Sequence, residues 1–234
     1  MNFEELSLCK EIISSINEKG YKNPTEIQKE AIPHILMGRD ILGCAQTGTG
    51  KTGSFVMPLA EILSSGKSKS RMPRSLILAP TRELAMQVAE EFNFINKSLK
   101  LQMALLIGGV SFTEQDNKLA KGVDVLVATP GRLIDHIERG KVIIKDVKIL
   151  IIDEADRMLD MGFIPDIMKI NKLLPTIRQT LFFSATLSNE IRNIGKNLLI
   201  NPKEIKINPY SSTSSNIDSY FFKAFNKNKL DDLK

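Results

Sequence analysis

The sequence predicts an α/β fold, a parallel β-sheet with helices packed on both faces. Three observations predict it. Short apolar runs at 41–45, 75–79, 101–107, 123–128, 147–152 and 179–184 have the length of strands and little polar alternation. A strand that is apolar all round is buried on both faces, the condition met in parallel sheets. Between the runs lie stretches with helical periodicity, such as 82–96 and 189–199, so strands and helices alternate as crossover connections require. Each run also ends in a short polar or glycine-containing motif, and in such sheets chemistry gathers at the carboxyl ends of the strands.

The elements follow in order. A polar helix candidate opens the chain, and a second helix is expected over 25–37, with Thr25 as cap and Gln28 three residues on to close a capping box. The run at 41–45 is the first strand, and 51–63 is the helix after it. Strand and helix patterns then alternate to about residue 207, which delimits one domain at 1–207. Residues 208–216 are serine-rich and polar and read as a linker. Residues 217–225 look like a new strand, followed by a helix start near Lys229. A strand and half a helix cannot bury a core, so 217–234 read as the start of a second, truncated domain.

Composition bounds the function classes. The chain has 234 residues, 42% hydrophobic and 25% charged, an ordinary globular composition. No run of about 18 apolar residues exists, so no membrane span is expected. The start, Met1-Asn-Phe-Glu-Glu, carries acids where an export signal carries basic residues. Two cysteines make no disulfide framework, and Cys44 reads as a small buried hydrophobe. A reducing cytoplasm fits. The net charge of +5 permits a polyanionic partner without demanding one.

Two motifs carry the chemistry. Ala45-Gln46-Thr47-Gly48-Thr49-Gly50-Lys51-Thr52 lies between a strand and a helix. A glycine-rich turn ending in Lys-Thr cradles phosphates with backbone N–H groups, and the helix start adds its positive dipole end. Lys51 reaches the outer phosphates and Thr52 a Mg²⁺ ion. The usual pattern has glycine where this chain has Ala45. The second motif, Asp153-Glu154, closes an apolar strand and offers a second metal carboxylate in Asp153 and a base for water in Glu154. Together they indicate hydrolysis of an ATP-type nucleotide.

In these residues the chain resembles the DEAD-box RNA helicases, named for the box Asp153-Glu154-Ala155-Asp156. The resemblance runs from residue 3 to about 207, the first RecA-like domain of that family, which accepts alanine at Ala45. It implies an adenine-reading segment within 1–38, with Gln28 on the adenine edge and Tyr21 near the ring. It implies that Pro80-Thr81-Arg82, Gly108-Gly109 and Thr129-Pro130-Gly131-Arg132 hold an RNA backbone with little sequence specificity. It implies that Asp156, Ser184 and Thr186 couple hydrolysis to strand separation. ATP and Mg²⁺ are the implied cofactors. The family's second lobe, which supplies arginine fingers and half of the RNA groove, is absent from these 234 residues.

Physical sense attaches to each assignment. A glutamine amide presents a donor and an acceptor together, matching the adenine edge; the capping role of Gln28 can coexist with it. Arg82 and Arg132 stand at equivalent helix starts, where a guanidinium and backbone amides grip phosphate without reading bases. His34 and His136 are expected to be structural. Asn228-Lys229-Leu230-Asp231 matches a guanine-reading signature, but it lies beyond the linker and the acidic motif is not a GTPase switch. Two rivals of other classes remain: a clamp that holds ATP and RNA without turnover, and a small-molecule kinase or transporter ATPase. Glu154 argues against the first and the Arg82 and Arg132 loops against the second. RNA rather than DNA rests on the resemblance alone.

Overall fold

The computed structural model describes residues 2–66 and 72–207. The expected linker, the second-domain start and the guanine-reading decoy lie outside them. Seven strands form one sheet: β1 (Ile41–Cys44), β2 (Ser75–Leu78), β3 (Met103–Leu106), β4 (Val125–Ala128), β5 (Ile149–Ile152), β6 (Gln179–Ser184) and β7 (Lys203–Lys206). Their order is β3-β4-β2-β5-β6-β1-β7, and every pair is parallel. The six expected strands are present, most of them shorter than their apolar runs. Leu101, Val123 and Val147 are buried yet lie outside the ladder, so apolar character there reports burial and not pairing.

The seventh strand was not expected. Lys203-Glu204-Ile205-Lys206 buries only Ile205 and sits at the sheet edge beside β1. One inward side chain in four residues leaves no period to detect.

Successive strand residues point to opposite faces, and both faces are apolar. Ile77, Val127, Ile151, Leu181 and Phe183 meet α1 (Lys10–Glu18), α2 (Glu26–Leu36), α3 (Lys51–Ser64) and α4 (Arg82–Ile95). Leu76, Leu126, Leu150, Ile152 and Phe182 meet α5 (Phe112–Ala120), α6 (Pro130–Glu138), α7 (Ala155–Asp160), α8 (Ile164–Leu173) and α9 (Asn189–Leu198). Phe55 of α3 and Phe183 of β6 pack as a tilted pair with ring centroids 5.4 Å apart, joining helix to sheet in the first layer. No helix among the described residues is long and apolar enough to cross a membrane.

The topology sorts the loops at the carboxyl edge. Ranged along it in sheet order are Gly108-Gly109 after β3, Thr129–Arg132 after β4, Pro80–Arg82 after β2, Asp153-Glu154 after β5, Ser184–Thr186 after β6 and the glycine-rich loop after β1. At the opposite edge, the buried Asp40 carboxylate accepts Thr180 N–H and Ile200 N–H, each at 2.7 Å, and so ties β6 and the entry to β7 beneath β1. Asp40→Ala leaves both donors without that acceptor. A loss of about 3 kcal/mol is expected, since hydrogen bonds to a charged group carry roughly 1.5–3 kcal/mol each; urea denaturation should show a lowered midpoint at unchanged slope, with nucleotide affinity retained in the folded fraction.

Candidate functional site

The glycine-rich loop leaves β1 through the buried Ala45, whose N–H donates to the Ser184 carbonyl at 3.1 Å. The first loop is thereby tied to the end of β6. Gln46, Thr47 and Gly48 are exposed, and Thr49 Oγ1 closes the turn by donating to the Gln46 carbonyl at 2.6 Å. Gly50 caps α3 with φ of +86°, in the left-handed region that glycine enters without strain. A Cβ there would lie 2.8 Å from both Gln28 Nε2 and Thr25 Oγ1, so space as well as backbone requires glycine.

Lys51 and Thr52 open α3. The Lys51 ammonium is buried, 3.3 Å from Asp153 Oδ1 and 3.7 Å from Glu154 Oε1, yet hydrogen-bonds to no acceptor. Asp153 Oδ1 accepts the Glu154 N–H at 3.0 Å. Burial pushes the Asp153 carboxyl up, against the opposing pull of Lys51. Glu154 has φ of +54°, a conformation rare for residues with side chains. Its Oε1 accepts from Thr47 Oγ1 at 3.0 Å, and Arg157 lies 3.8 Å from its other oxygen. One buried cation, Lys51, therefore faces both carboxylates beneath the loop, with the half-exposed Arg157 beside Glu154 alone.

A cleft of about 590 Å³ opens above them, lined by Tyr21, Gln28, Lys51, Thr52, Asp153 and Glu154. Gln28 is enclosed, and both ends of its amide are engaged. Oε1 accepts the Thr25 N–H at 2.9 Å, and Nε2 donates to the Gly50 carbonyl at 3.1 Å. Residues absent from the sequence-based set also line the cleft: Leu84, Gln87, Val88 and Glu91 of α4. Their spacing of three, four and seven is one helical stripe, and two polar residues on it were the available signal.

On the other half of the edge, Arg82 is exposed and its guanidinium packs on Gly109, where φ is +75° and a Cβ would collide with it. Gly108, Gly109 and Gly131 reach the surface. Four other expected contacts are buried or bonded within the protein. Pro80 and Pro130 are buried, and Arg132 is engaged within the protein, its Nε donating to the Ile107 carbonyl at 3.0 Å and its Nη2 to that of Val110. Thr81 Oγ1 caps α4 by accepting the Leu84 N–H at 3.3 Å. Asp156 Oδ2 accepts from Ala185 N–H at 3.1 Å, Thr186 N–H at 3.0 Å and Thr186 Oγ1 at 3.2 Å, while Ser184 Oγ accepts the Thr186 N–H at 3.4 Å. His34 is half-buried, with burial holding its pKa down; His136 is fully enclosed.

A parallel sheet with a glycine-rich strand-to-helix loop and an acidic pair two strands away has the architecture of the phosphate-loop class of nucleotide-binding proteins. Comparison with known proteins specifies the class further. The model of the DEAD/DEAH box helicase family matches residues 25–194, and the chain belongs to that family. It is 42% identical over 228 residues to the ATP-dependent RNA helicase DeaD of Buchnera aphidicola, covering 97% of this chain and 37% of that protein. It is 40% identical to the DEAD-box ATP-dependent RNA helicase CshA of Bacillus cereus, covering 99% of this chain and 43% of that one. The crystal structure of a DEAD box protein from Methanococcus jannaschii superposes with a TM-score of 0.83 at 42% identity, over 88% of this chain and 56% of that one. The chain thus spans less than half the length of these two curated relatives.

Removing the cation tests the electrostatics of the site. With Lys51→Met, the buried Asp153 loses the cation beside it and Glu154 keeps only the half-exposed Arg157, which costs about 3–5 kcal/mol at neutral pH. The sign follows from the raised Asp153 carboxyl: its stabilising protonated form is complete below the ordinary value of 3.8 and is lost as pH rises through the elevated folded value. The variant should therefore regain stability relative to the parent as pH falls from 7.5 toward 5, measured by urea midpoints across that range.

Proposed function

We propose that this chain is the ATP-binding lobe of an ATP-dependent RNA helicase, which couples ATP binding and hydrolysis to local remodelling of RNA duplexes. The observation that carries the proposal is the buried Lys51 ammonium, held between Asp153 and Glu154 without a hydrogen-bond acceptor of its own. A triphosphate oxygen completes that coordination, and the backbone amides at the start of α3 add to it. The relatives, ATP-dependent RNA helicases by name, support both substrates.

In this reading the residues divide the work. Lys51 binds the outer phosphates. Glu154, aimed over the loop by its left-handed backbone and its bond from Thr47, orients the attacking water and takes its proton. Thr52 and Asp153 supply hard oxygen donors of the sort Mg²⁺ takes together with phosphate oxygens. When bound, that ion neutralises charge on the transferring phosphoryl group. Gln28 keeps one N–H and one lone pair beyond its two internal bonds, enough to meet an adenine edge while it remains fastened to Gly50. Asp156 joins the acidic strand end to the Ser184–Thr186 turn, a direct route for coupling. Arg82, Gly108, Gly109, Thr129 and Gly131 form the RNA-backbone side. Cys9 and Cys44 are both free, in keeping with a reducing cytoplasm.

Two measurements on the nucleotide side test the proposal. Glu154→Gln should bind ATP like the parent and lose hydrolysis, since an amide cannot accept the water's proton; a variant turning over at the parent rate removes Glu154 as the base. A competition titration should favour ATP over GTP, and Gln28→Ala should erase that preference. Equal affinities in the parent would take Gln28 and Tyr21 out of a base pocket.

A third concerns the lobe alone. Phosphoryl transfer in such enzymes draws roughly 10³ to 10⁵ in rate from an arginine finger, and Arg82 and Arg132 are placed away from Lys51, on the other half of the edge. The 234-residue chain should hydrolyse ATP slowly, bind RNA weakly with strong salt dependence, and unwind nothing. ATP-dependent strand displacement by this chain alone would overturn the two-lobe mechanism.

A further inference from the structure

One buried polar cluster lies outside the nucleotide cleft. Gln115 of α5 and His136 of α6 are 2% and 0% exposed. The Gln115 amide nitrogen faces three carbonyls of one loop, Ile107 at 3.2 Å, Val110 at 3.3 Å and Ser111 at 3.5 Å. Arg132 donates to two of the same three, Ile107 and Val110. The carbonyls on either side of Gly108-Gly109 are thus drawn inward from both helices. Carbonyls only accept, so Nε2 of Gln115 must face the loop and Oε1 must face His136, whose Nε2 stands 3.2 Å away and supplies the proton. The other His136 nitrogen lies 3.2 Å from Asp116 Oδ1. Phe112 closes the cluster, its ring centroid 3.6 Å from the Arg132 guanidinium and 4.0 Å from that of Arg139.

We infer that Gln115 and His136 are positioning residues for the RNA backbone: His136 fixes the Gln115 amide, and Gln115 holds the Gly108-Gly109 loop in its phosphate-binding shape. The inference rests on the proposed reading of that loop as an RNA contact. Its physical basis is the sorting of donors and acceptors. With the flanking carbonyls tied inward, Gly108 and Gly109 donate their N–H groups to nothing among the described residues. Free, fixed amides beside an exposed arginine are a phosphate site without base readout. Enclosing an amide and an imidazole costs free energy unless their bonds are made. Here all three carbonyls facing the Gln115 nitrogen belong to the one loop that the Arg82 guanidinium also covers.

The test is fluorescence anisotropy of a labelled single-stranded oligouridine RNA on the 234-residue chain, with a fluorescent ATP analogue titrated in parallel. Gln115→Met keeps the length of the side chain and removes its donor. RNA affinity should fall roughly tenfold, the equivalent of one hydrogen bond, with nucleotide affinity unchanged. The slope of log affinity against log salt should also stay at the parent value, because no cation is lost, whereas Arg82→Ala should flatten it by about one. His136→Leu should behave like Gln115→Met. His136→Gln, whose amide can still donate to Gln115 Oε1, should restore most of the affinity, and this pair carries the test if Gln115→Met does not fold. Parent-like RNA binding by Gln115→Met and His136→Leu, with Arg82→Ala still weakened, overturns this inference and leaves the proposed function standing. Equal loss of RNA and ATP affinity also overturns it, as the sign of a general packing role. A parent chain that binds no RNA overturns both.

Discussion

Every site in this molecule depends on the seven strands running the same way. Parallel pairing forbids hairpins, so each strand must be followed by a crossover over one face, and each crossover must leave from the same edge. Six loops are thereby ranged side by side with no side chain needing to choose its place. The order then divides them. The ends of β5, β6 and β1 carry Asp153-Glu154, Ser184–Thr186 and the glycine-rich loop; those of β3, β4 and β2 carry Gly108-Gly109, Thr129–Arg132 and Pro80–Arg82. The two halves meet between β2 and β5, where the Asp153 N–H donates to the Leu78 carbonyl at 3.0 Å.

The acidic pair and the glycine-rich loop are not neighbours. With β6 between β1 and β5, their strand ends stand about 10 Å apart at the usual strand spacing. Long side chains close that gap from both sides: Lys51 reaches both carboxylates from the first turn of α3, and Glu154 reaches back to Thr47 of the loop. Such a cluster is a poor source of stability, since desolvating the charges offsets most of their attraction. The unbonded Lys51 ammonium is a feature that a folded state gains nothing from by itself. The left-handed Glu154 adds local strain of order 1 kcal/mol. Strain and incomplete pairing at one point are intelligible as preparation for a ligand that completes the set.

The sheet was legible because burial on both faces turns each strand into an apolar run, and the motifs were legible because phosphate and metal chemistry restrict the residue types at fixed spacing. What escaped detection did so for definable reasons. The strand at Lys203–Lys206 has a single inward residue. The α4 wall of the cleft, Leu84 to Glu91, belongs to a helix that was expected, but no local pattern says which of its stripes faces a cavity and which a core. Arg132 is the instructive case. Placed at a helix start like Arg82, it is indistinguishable from it in sequence, yet the loop carbonyls and Phe112 capture one guanidinium while the other stays at the surface. His136 was expected to be structural, and its enclosure accords with that, but its bond to Gln115 connects it to a loop 25 to 29 residues away in sequence, which no spacing rule reveals.

The division of the edge raises the question of how its halves could communicate, and α4 answers it geometrically. The helix begins at Arg82, whose guanidinium covers Gly109, and about two and a half turns later presents Glu91 to the cleft. Glu91 pairs with Lys19, whose ammonium also lies 5.2 Å from the Tyr21 ring centroid, so the outer wall of the cleft is fastened to this helix. Fourteen residues of α-helix bend little over about 21 Å. Tyr21, Glu91 and Arg82 are thus joined through one short, straight body. The Asp156 carboxylate forms the second link, running within the nucleotide half from the acidic strand end to the Ser184–Thr186 turn. One link passes across the helical face and the other along the sheet edge, and both start from residues that touch or adjoin the same cleft.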